Sequence, residues 1–505
     1  MAGGHWTRRE LLVGGGVAGL GSLGLAGIVG YTWPRSSAAA TVTATPGPVP
    51  GSIQSFVSRP DLRPARLSVR VSGSPSGVPP YILLANKPFM GPPVDQPGQM
   101  ILQRDGELVW FSPVTHATIM DFNVQSYKGK PVLTWWRGGV GGTFGRGTCY
   151  LADSSYTVIA TVKAGHGLEA DLHEFNLTDQ GTALITAYRQ RSADLTAIGG
   201  KKAGAAWSGV LQEIDIATGD VVFEWESLDH VPVTESKQPL TGGTPDDPFD
   251  YFHINAIDVA PDGDLLVSSR DTWTIYKIGR HDGAIRWRLG GKKSDFTIGP
   301  GAQFSWQHHI RAHGTDLLTL FDNASSPPEE PQSRGLLLRL DTTAKMLTLE
   351  HAYTHPAGLL ADNQGSFQLL PDNRVLVGWG AEPYYTEFEA DGSILLDGQL
   401  PIGDQSYRTF TADWTGLPTD RPAVAVKTNP ARGSAVYVSW NGATEVAAWR
   451  VYAGKSRSSL SPVALQPRAG FETVIAVNST GPYFMVTAHD STGKLLGQSG
   501  TVNRT

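Results

Sequence analysis

One cysteine, Cys149, is all that 505 residues contain, so no intramolecular disulfide can brace the fold and its core alone must hold it. Methionine is scarce as well, six in all, and charged side chains make up 17% where a quarter is usual. Glycine, at 59, and proline, at 34, are plentiful instead. This mixture excludes a largely helical protein and suits many short strands joined by turns. An excess of positive charge is also lacking. The net charge of −6 provides no broad basic field, which disfavours nucleic acid or another polyanion as partner. Any anion site has to be local.

Near the start, Thr7-Arg8-Arg9-Glu10-Leu11-Leu12 precedes a weakly apolar, Gly-rich stretch, and Ala38-Ala39-Ala40 then offers small residues for cleavage. That order is the order of a twin-arginine export signal. About 20 weakly apolar residues also span a bilayer, so residues 1–40 read as a signal or as a membrane anchor that tethers the chain. No cysteine ends the segment, which argues against a bacterial lipid anchor. Residues 41–56, rich in Thr, Pro and Gly, are expected to form a disordered linker. The protein is expected to be exported, either extracellular or held at the cell surface.

The body repeats itself, and repeats govern any fold argument. Four segments carry the pattern. They begin His173-Glu-Phe-Asn-Leu, His253-Ile-Asn-Ala-Ile, His308-His-Ile-Arg-Ala and Ser366-Phe-Gln-Leu-Leu, and each meets a Gly or Asp/Asn turn and then an apolar run. That is a β-hairpin signature. A second hairpin follows in Leu211 to Trp225, turning at Gly219, and in Tyr276 to Trp287, turning at Gly283; Asp105-Gly106 to Trp110 is a shorter copy. Two hairpins per repeat make a four-stranded sheet, and such sheets set radially make a propeller. Residues 57–420 have room for six blades. If each repeat opens on its innermost strand, His173, His253 and His308 enter successive blades at one end of a central channel. Blade packing needs no imidazole there, so the recurrence points to chemistry.

Residues 421–505 differ. Ala435-Val-Tyr-Val-Ser-Trp440, Ala447-Ala-Trp449-Arg-Val-Tyr452 and Tyr483-Phe-Met-Val-Thr-Ala-His489 are alternating strands whose pattern resembles a small fibronectin type III β-sandwich. His489 there reads as an ordinary surface residue.

At its repeats the chain resembles the arylsulfotransferase family, in the branch of exported bacterial and fungal proteins. The matching pieces are Gln125 to Trp136, Asp171-Leu-His173, His253-Ile-Asn255, Ser268-Ser-Arg270, Trp287-Arg-Leu-Gly290-Gly291, Gln307-His308, Phe321-Asp322-Asn323, Gly378-Trp-Gly380 and Ser406-Tyr-Arg408. The resemblance implies an all-β fold, a six-bladed β-propeller, that moves a sulfuryl group between phenols without a nucleotide sulfate donor or other cofactor. Its partners would be a small aryl sulfate and a phenol. It implies that His308 is the transiently sulfated nucleophile, that His253, Asn255 and Arg270 hold the sulfate, and that His173 is a further active-site histidine. His309 departs from the family pattern and competes with His308 for the nucleophile's role.

The residue types suit that chemistry. Sulfuryl transfer, like phosphoryl transfer, passes through a loose state with charge on peripheral oxygens, so positioning and cationic stabilisation supply most of the rate. An arginine such as Arg270 can meet two oxygens in a fork, a neutral imidazole is a competent nucleophile, and His253 or His173 fits a general acid and base. Trp273 and Trp306 offer faces for an aryl ring or pack between blades. Asp322 and Asn323 read first as turn residues and, as the alternative, as residues that orient a histidine through a hydrogen bond; Glu387 is equally ambiguous. The stretches Arg189–Trp207 and Val231–Phe249 read as channel-mouth loops. Two rival readings remain open: a divalent-metal site on the histidines, argued against by Arg270 and by the want of a compact acid cluster beside them, and a non-catalytic binding protein on the same scaffold.

Overall fold

The computed structural model describes residues 53–73, 77–89, 93, 95–431 and 433–505. The signal or anchor read at residues 1–40, and the linker as far as residue 52, lie outside them. Residues 53–56, placed by composition in that linker, are packed: Ile53 bridges Ala65, Gln54 Nε2 donates to the Ala65 carbonyl at 2.9 Å, and the Phe56 ring lies 4.4 Å from that of Phe471. Two apolar side chains among the Thr, Pro and Gly suffice to anchor the segment's end.

The fold is all-β. Apolar runs broken by turns become antiparallel hairpins, and at Gly219 and Gly283 the turn takes φ of 81° and 67°, a conformation glycine adopts without steric cost. Six sheets follow one another along the body. The second runs Thr118–Tyr127, Lys130–Gly141, Phe144–Ala152, Val158–Val162; the third Phe175–Leu177, Thr182–Ala193, Gly204–Asp215, Val221–Glu226. The fourth comprises Ile254–Val259, Leu265–Ser269, Thr274–Ile278 and Ile285–Gly290, and the fifth His308–His313, Leu317–Asp322, Arg334–Asp341 and Met346–Tyr353. The sixth is Ser366–Leu369, Val375–Gly378, Tyr384–Phe388 and Ile394–Gln399, edged by Ser68–Val71. The first sheet is assembled from both ends of the body: Tyr81–Pro88, Gly98–Gln103 and Leu108–Pro113 are joined by Thr409–Ala412, which pairs antiparallel with Tyr81–Pro88.

Neighbouring sheets press apolar faces together. Leu184, Leu211, Trp225, Phe252, Val267 and Tyr276 fill the space between the third and fourth, and Leu266, Ile275, Trp287, Ile310, Leu320 and Leu336 the space between the fourth and fifth. Each such side chain contributes about 1.5–3 kcal/mol by burial. Strands at the edges of successive sheets also touch one another. Thr409–Ala412 meets Thr118–Tyr127, which meets Phe175–Leu177; Ile254–Val259 meets His308–His313, which meets Ser366–Leu369, and that strand returns to Thr409–Ala412.

Residues from Ala423 onward build two further sheets around Val436, Trp449, Val451, Ile475, Phe484 and Val486. They are tied to the body by Asn441, whose side chain bonds both the N–H and the carbonyl of Phe111 at 2.9 Å, and by Glu107, which accepts the Phe471 N–H at 2.8 Å. The segment Arg189–Trp207, expected as a loop, is strand at both ends, where Thr182–Ala193 and Gly204–Asp215 stay paired as far as Ala193 and Gly204, and is a loop over residues 194–203. Sustained pairing across the hairpin overrode its polar composition.

Candidate active site

The first strands of the third, fourth and fifth sheets each start at or just after a histidine, and these three side chains converge. His173 lies just before Phe175–Leu177, His253 just before Ile254–Val259, and His308 opens His308–His313. The rings of His173 and His253 are 4.8 Å apart between centroids, and those of His173 and His308 6.4 Å. All three are buried.

Each imidazole is pinned through Nδ1. That of His173 lies 2.6 Å from Asp171 Oδ2, an oxygen that also accepts the His173 N–H at 3.1 Å and the Thr186 hydroxyl at 2.9 Å. His253 has φ of 51°, a left-handed backbone costly for a side chain with a Cβ. Asp250 holds it there, accepting the His253 N–H on Oδ1 at 3.2 Å and its Nδ1–H on Oδ2 at 2.7 Å. A carboxylate only accepts, so Nδ1 bears the proton in both rings and Nε2 turns inward.

His308 is fixed by an amide. Asn323 Nδ2 donates to the carbonyls of Ala361 and Gln364, each at 3.0 Å, which leaves Oδ1 facing His308 Nδ1 at 2.7 Å. Nδ1 must therefore donate, and the Nε2 lone pair accepts the Gln364 N–H at 3.3 Å. Asn323, read from sequence first as a turn residue, thus sets the tautomer of His308. Its partner in the sequence, Asp322, accepts the Ser305 N–H and pairs with Arg334 at 2.6 Å, away from the histidines. Glu387 pairs with Arg104 at 2.7 Å in the body's core and plays no part here.

The three rings differ in charge. Burial, then the charges of Arg270 and His173, hold His308 well below the ordinary histidine value. Burial also holds His173 down, against the pull of Asp171. At His253 burial opposes the charged ring, but the Asp250 carboxylate, with Asp271 behind it, outweighs burial and keeps its value above the ordinary one. A neutral histidine whose Nε2 lone pair is engaged only by the long bond from the Gln364 N–H thus shares the site with one that favours its proton.

Arg270 brings the cation. Its Nη1 donates to Asp271 Oδ1 at 2.8 Å and its Nη2 to the Asp362 carbonyl at 3.1 Å, while the guanidinium carbon sits 4.7 Å from the centre of the Trp306 ring. Trp306 is a packing residue: it is buried, its Nε1 donates to the Pro327 carbonyl at 3.1 Å, and Trp273 abuts it edge-on at 5.1 Å. Asn255 is fully buried behind the histidines. Its Nδ2 donates to the Gln307 carbonyl at 2.6 Å, and its Oδ1 has no partner.

Beneath the cluster lies a buried ionic layer that sequence reading left without a role. Tyr407 donates its hydroxyl to the His173 carbonyl at 2.9 Å; beside it Arg408 reaches Asp121 and Glu174, each at 2.9 Å, and the Asn255 carbonyl at 3.2 Å. Arg311 pairs with Glu174 from the other side at 2.9 Å. His309 belongs to that far side. A register shift after His308 and a φ of 58° at His309 replace simple strand alternation, and the ring lines a cavity of about 210 Å³ with Phe367, Phe410, Arg311 and Glu174. Its Nδ1 is 3.1 Å from both the N–H and the carbonyl of Phe367. Adjacent in sequence, His308 and His309 face different spaces.

Acids do stand beside the histidines, contrary to the sequence expectation. Yet among the described residues the one group of three with ligand atoms within 4.8 Å of one another is Asp250, His253 and Asp271. Both carboxylates are engaged by His253, Thr143 and Arg270. The three histidines do not form such a group.

Comparison with known proteins gives one family and several loose structural likenesses. Of solved structures, a protein of unknown function from Bacteroides caccae is 12% identical, with a TM-score of 0.39 over 66% of this chain and 98% of that one. A catalytically inactive virginiamycin B lyase from Staphylococcus aureus, solved with quinupristin, is 10% identical with a TM-score of 0.35 over 74% and 97%. A Lactobacillus plantarum protein is 14% identical with a TM-score of 0.37 over 78% and 98%. Scores of this size carry no argument about what the chain does. A search of the curated proteins finds no match. The model of the arylsulfotransferase (ASST) family, however, matches residues 123–400, a span that holds His173, His253, Arg270, His308 and Asn323, and this chain belongs to that family.

Proposed function

We propose that the protein moves a sulfuryl group from an aryl sulfate ester to a phenol through a sulfohistidine at His308, with no nucleotide sulfate donor. The observation that carries this reading is the Asn323–His308 hydrogen bond, which leaves Nε2 of a neutral ring as the nucleophilic atom. In the first half reaction the Nε2 lone pair forms the N–S bond as the S–O bond to the aryl group breaks, and His253 gives its proton to the departing phenolate. In the second, a phenol oxygen attacks sulfur, its proton passes to the now neutral His253, and the N–S electron pair returns to Nε2. Arg270 faces the oxygens on which charge gathers; His173 lies between the other two rings and shapes the pocket.

The same reading takes the six body sheets as blades of a six-bladed β-propeller, supported by the succession of inner-strand contacts, and residues 421–505 as a fibronectin type III-like sandwich. It places the protein outside the cytoplasm, secreted by the twin-arginine route or held at the surface by its N-terminal segment.

Donor cleavage without acceptor should release a burst of one phenol per active site, two-substrate kinetics should be ping-pong, and mass spectrometry should find the sulfuryl group on the peptide containing His308. His308→Ala should abolish burst and adduct, while His309→Ala should keep both. Sulfuryl transfer without a burst would replace the covalent route by direct transfer, and no transfer from any aryl sulfate would favour a non-catalytic binding protein.

A further inference from the structure

Two long hairpins meet beside the histidines. Lys130–Gly141 pairs with Phe144–Ala152, and Thr182–Ala193 with Gly204–Asp215. The first turns through Gly142 and Thr143, with glycine also at 138, 139, 141, 145 and 147. Three of these glycines, Gly138, Gly145 and Gly147, lie in paired strand positions where a Cβ would crowd Trp136 or the opposite strand, so the ribbon is thin.

The tip of that ribbon makes two contacts with the site. Thr143 Oγ1 donates to Asp250 Oδ2 at 3.0 Å, the same oxygen that holds His253. Phe144 stacks on Tyr188, centroids 4.6 Å apart and planes 17° from parallel, and Trp207 meets Phe144 edge-on at 4.8 Å. Tyr188 in turn stands 6.3 Å from the His253 ring and 6.5 Å from His173, its hydroxyl tied to the Ile254 carbonyl at 3.2 Å. Phe144, Tyr188 and Trp207 therefore form a continuous aromatic wall that starts at the pocket and ends on the hairpins. Phe144 and Trp207 pack against the buried cluster that holds Tyr188, yet both are only half-buried, and Val140 on the ribbon is exposed.

Resting on the sulfuryl-transfer reading, we propose that this wall is the subsite that selects the aryl group, with Phe144 as its stacking face and Thr143 as the latch that seats the ribbon on Asp250. Aromatic rings prefer offset-stacked or edge-on contact, and both geometries are on offer. Phe144 acts on a different part of the ligand from the residues that hold sulfate, so discrimination by ring size separates from recognition of the sulfur oxyanion.

The test measures binding as well as turnover, on the full chain. Benzenesulfonate, naphthalenesulfonate and methanesulfonate, none of which can transfer its group, are titrated by calorimetry, and phenyl and naphthyl sulfates are assayed as donors. Benzenesulfonate should bind more tightly than methanesulfonate, and Phe144→Ala should cut that ratio about tenfold, with Phe144→Tyr restoring it. Thr143→Val should raise hydrogen exchange in residues 138–147 and weaken the arylsulfonates, and Thr143→Ser should recover both. If aryl sulfates are turned over but Phe144→Ala leaves the aryl-to-methyl ratio and the naphthyl-to-phenyl preference unchanged, the subsite lies elsewhere and only this inference falls. If the intact protein neither binds arylsulfonates nor turns over aryl sulfates, the sulfuryl-transfer reading falls and takes the subsite with it.

Discussion

Asn323 presents its side-chain oxygen to Nδ1 of His308 across 2.7 Å, and it can do so only because its nitrogen is spent on two backbone carbonyls. The amide is thus oriented by the backbone, and the imidazole by the amide. Removing the acceptor with Asn323→Leu frees the ring to turn or to protonate on Nε2. Adduct formation should slow by on the order of a hundredfold or more, since a catalytic histidine held in the wrong tautomer elsewhere loses up to about 10⁴-fold. Asn323→Asp gives a sharper readout. A carboxylate there favours the charged ring and raises the His308 value, so the rate should acquire a fall toward acid pH that the unaltered protein lacks above the ordinary histidine range. Burst rates measured from pH 5 to 9 would show it; identical profiles would remove Asn323 from the mechanism.

The charge on His253 depends on Asp250. With His253 held above the ordinary histidine value and His308 well below it, donor cleavage needs one ring protonated and the other not. The rate should be level below the His253 value and decline as pH rises through it. Asp250→Asn removes the main charge that sustains the proton, so the decline should move to lower pH, with the adduct still forming on His308. A pre-steady-state pH series with a donor of poor leaving group would test this. A donor whose phenolate leaves unaided should be indifferent to the change.

The layer under the histidines should matter for stability. Arg408 is buried and satisfies Asp121 and Glu174 at once. Arg408→Met would strand the buried Asp121 carboxyl group and leave Glu174 to Arg311 alone, at a cost of about 3–5 kcal/mol. Urea unfolding followed by Trp fluorescence should register the loss, and adding Asp121→Asn should recover part of it because the charge left unpaired is then removed while Glu174 keeps Arg311. Equal midpoints for Arg408→Met and the unaltered protein would show that solvent reaches the layer.

Much of this could be read from the chain beforehand, and the reasons for success and failure are physical. The hairpins were legible because Gly219 and Gly283 punctuate apolar alternation locally. His173, His253 and His308 were legible because the repeat supplies a reference position that no single histidine has. Asn323 was legible only as one of two alternatives, since a turn and a hydrogen bond to a side chain in the neighbouring strand have the same sequence. The role of Arg408 was not legible, because its partners Asp121 and Glu174 lie far away in sequence. The glycine-rich ribbon around Thr143 carries no signal of its own, because the contacts that give it its place come from the next sheet.

The first sheet is completed by Thr409–Ala412, and the Ala85 N–H meets the Ser406 hydroxyl across 321 residues of chain. For a polypeptide made from its N-terminus, this means that the oldest strands of the body wait for nearly the youngest before their edge is covered. Until then Tyr81–Pro88 exposes an unpaired rim that another chain could occupy, and the closing contact carries the loop entropy of almost the whole body. A polypeptide ending at residue 400, the limit of the family match, would keep His173, His253, His308 and His309 and still lack the strand that covers the edge of Tyr81–Pro88. Such a fragment should associate with itself, or accept residues 401–415 supplied as a separate peptide.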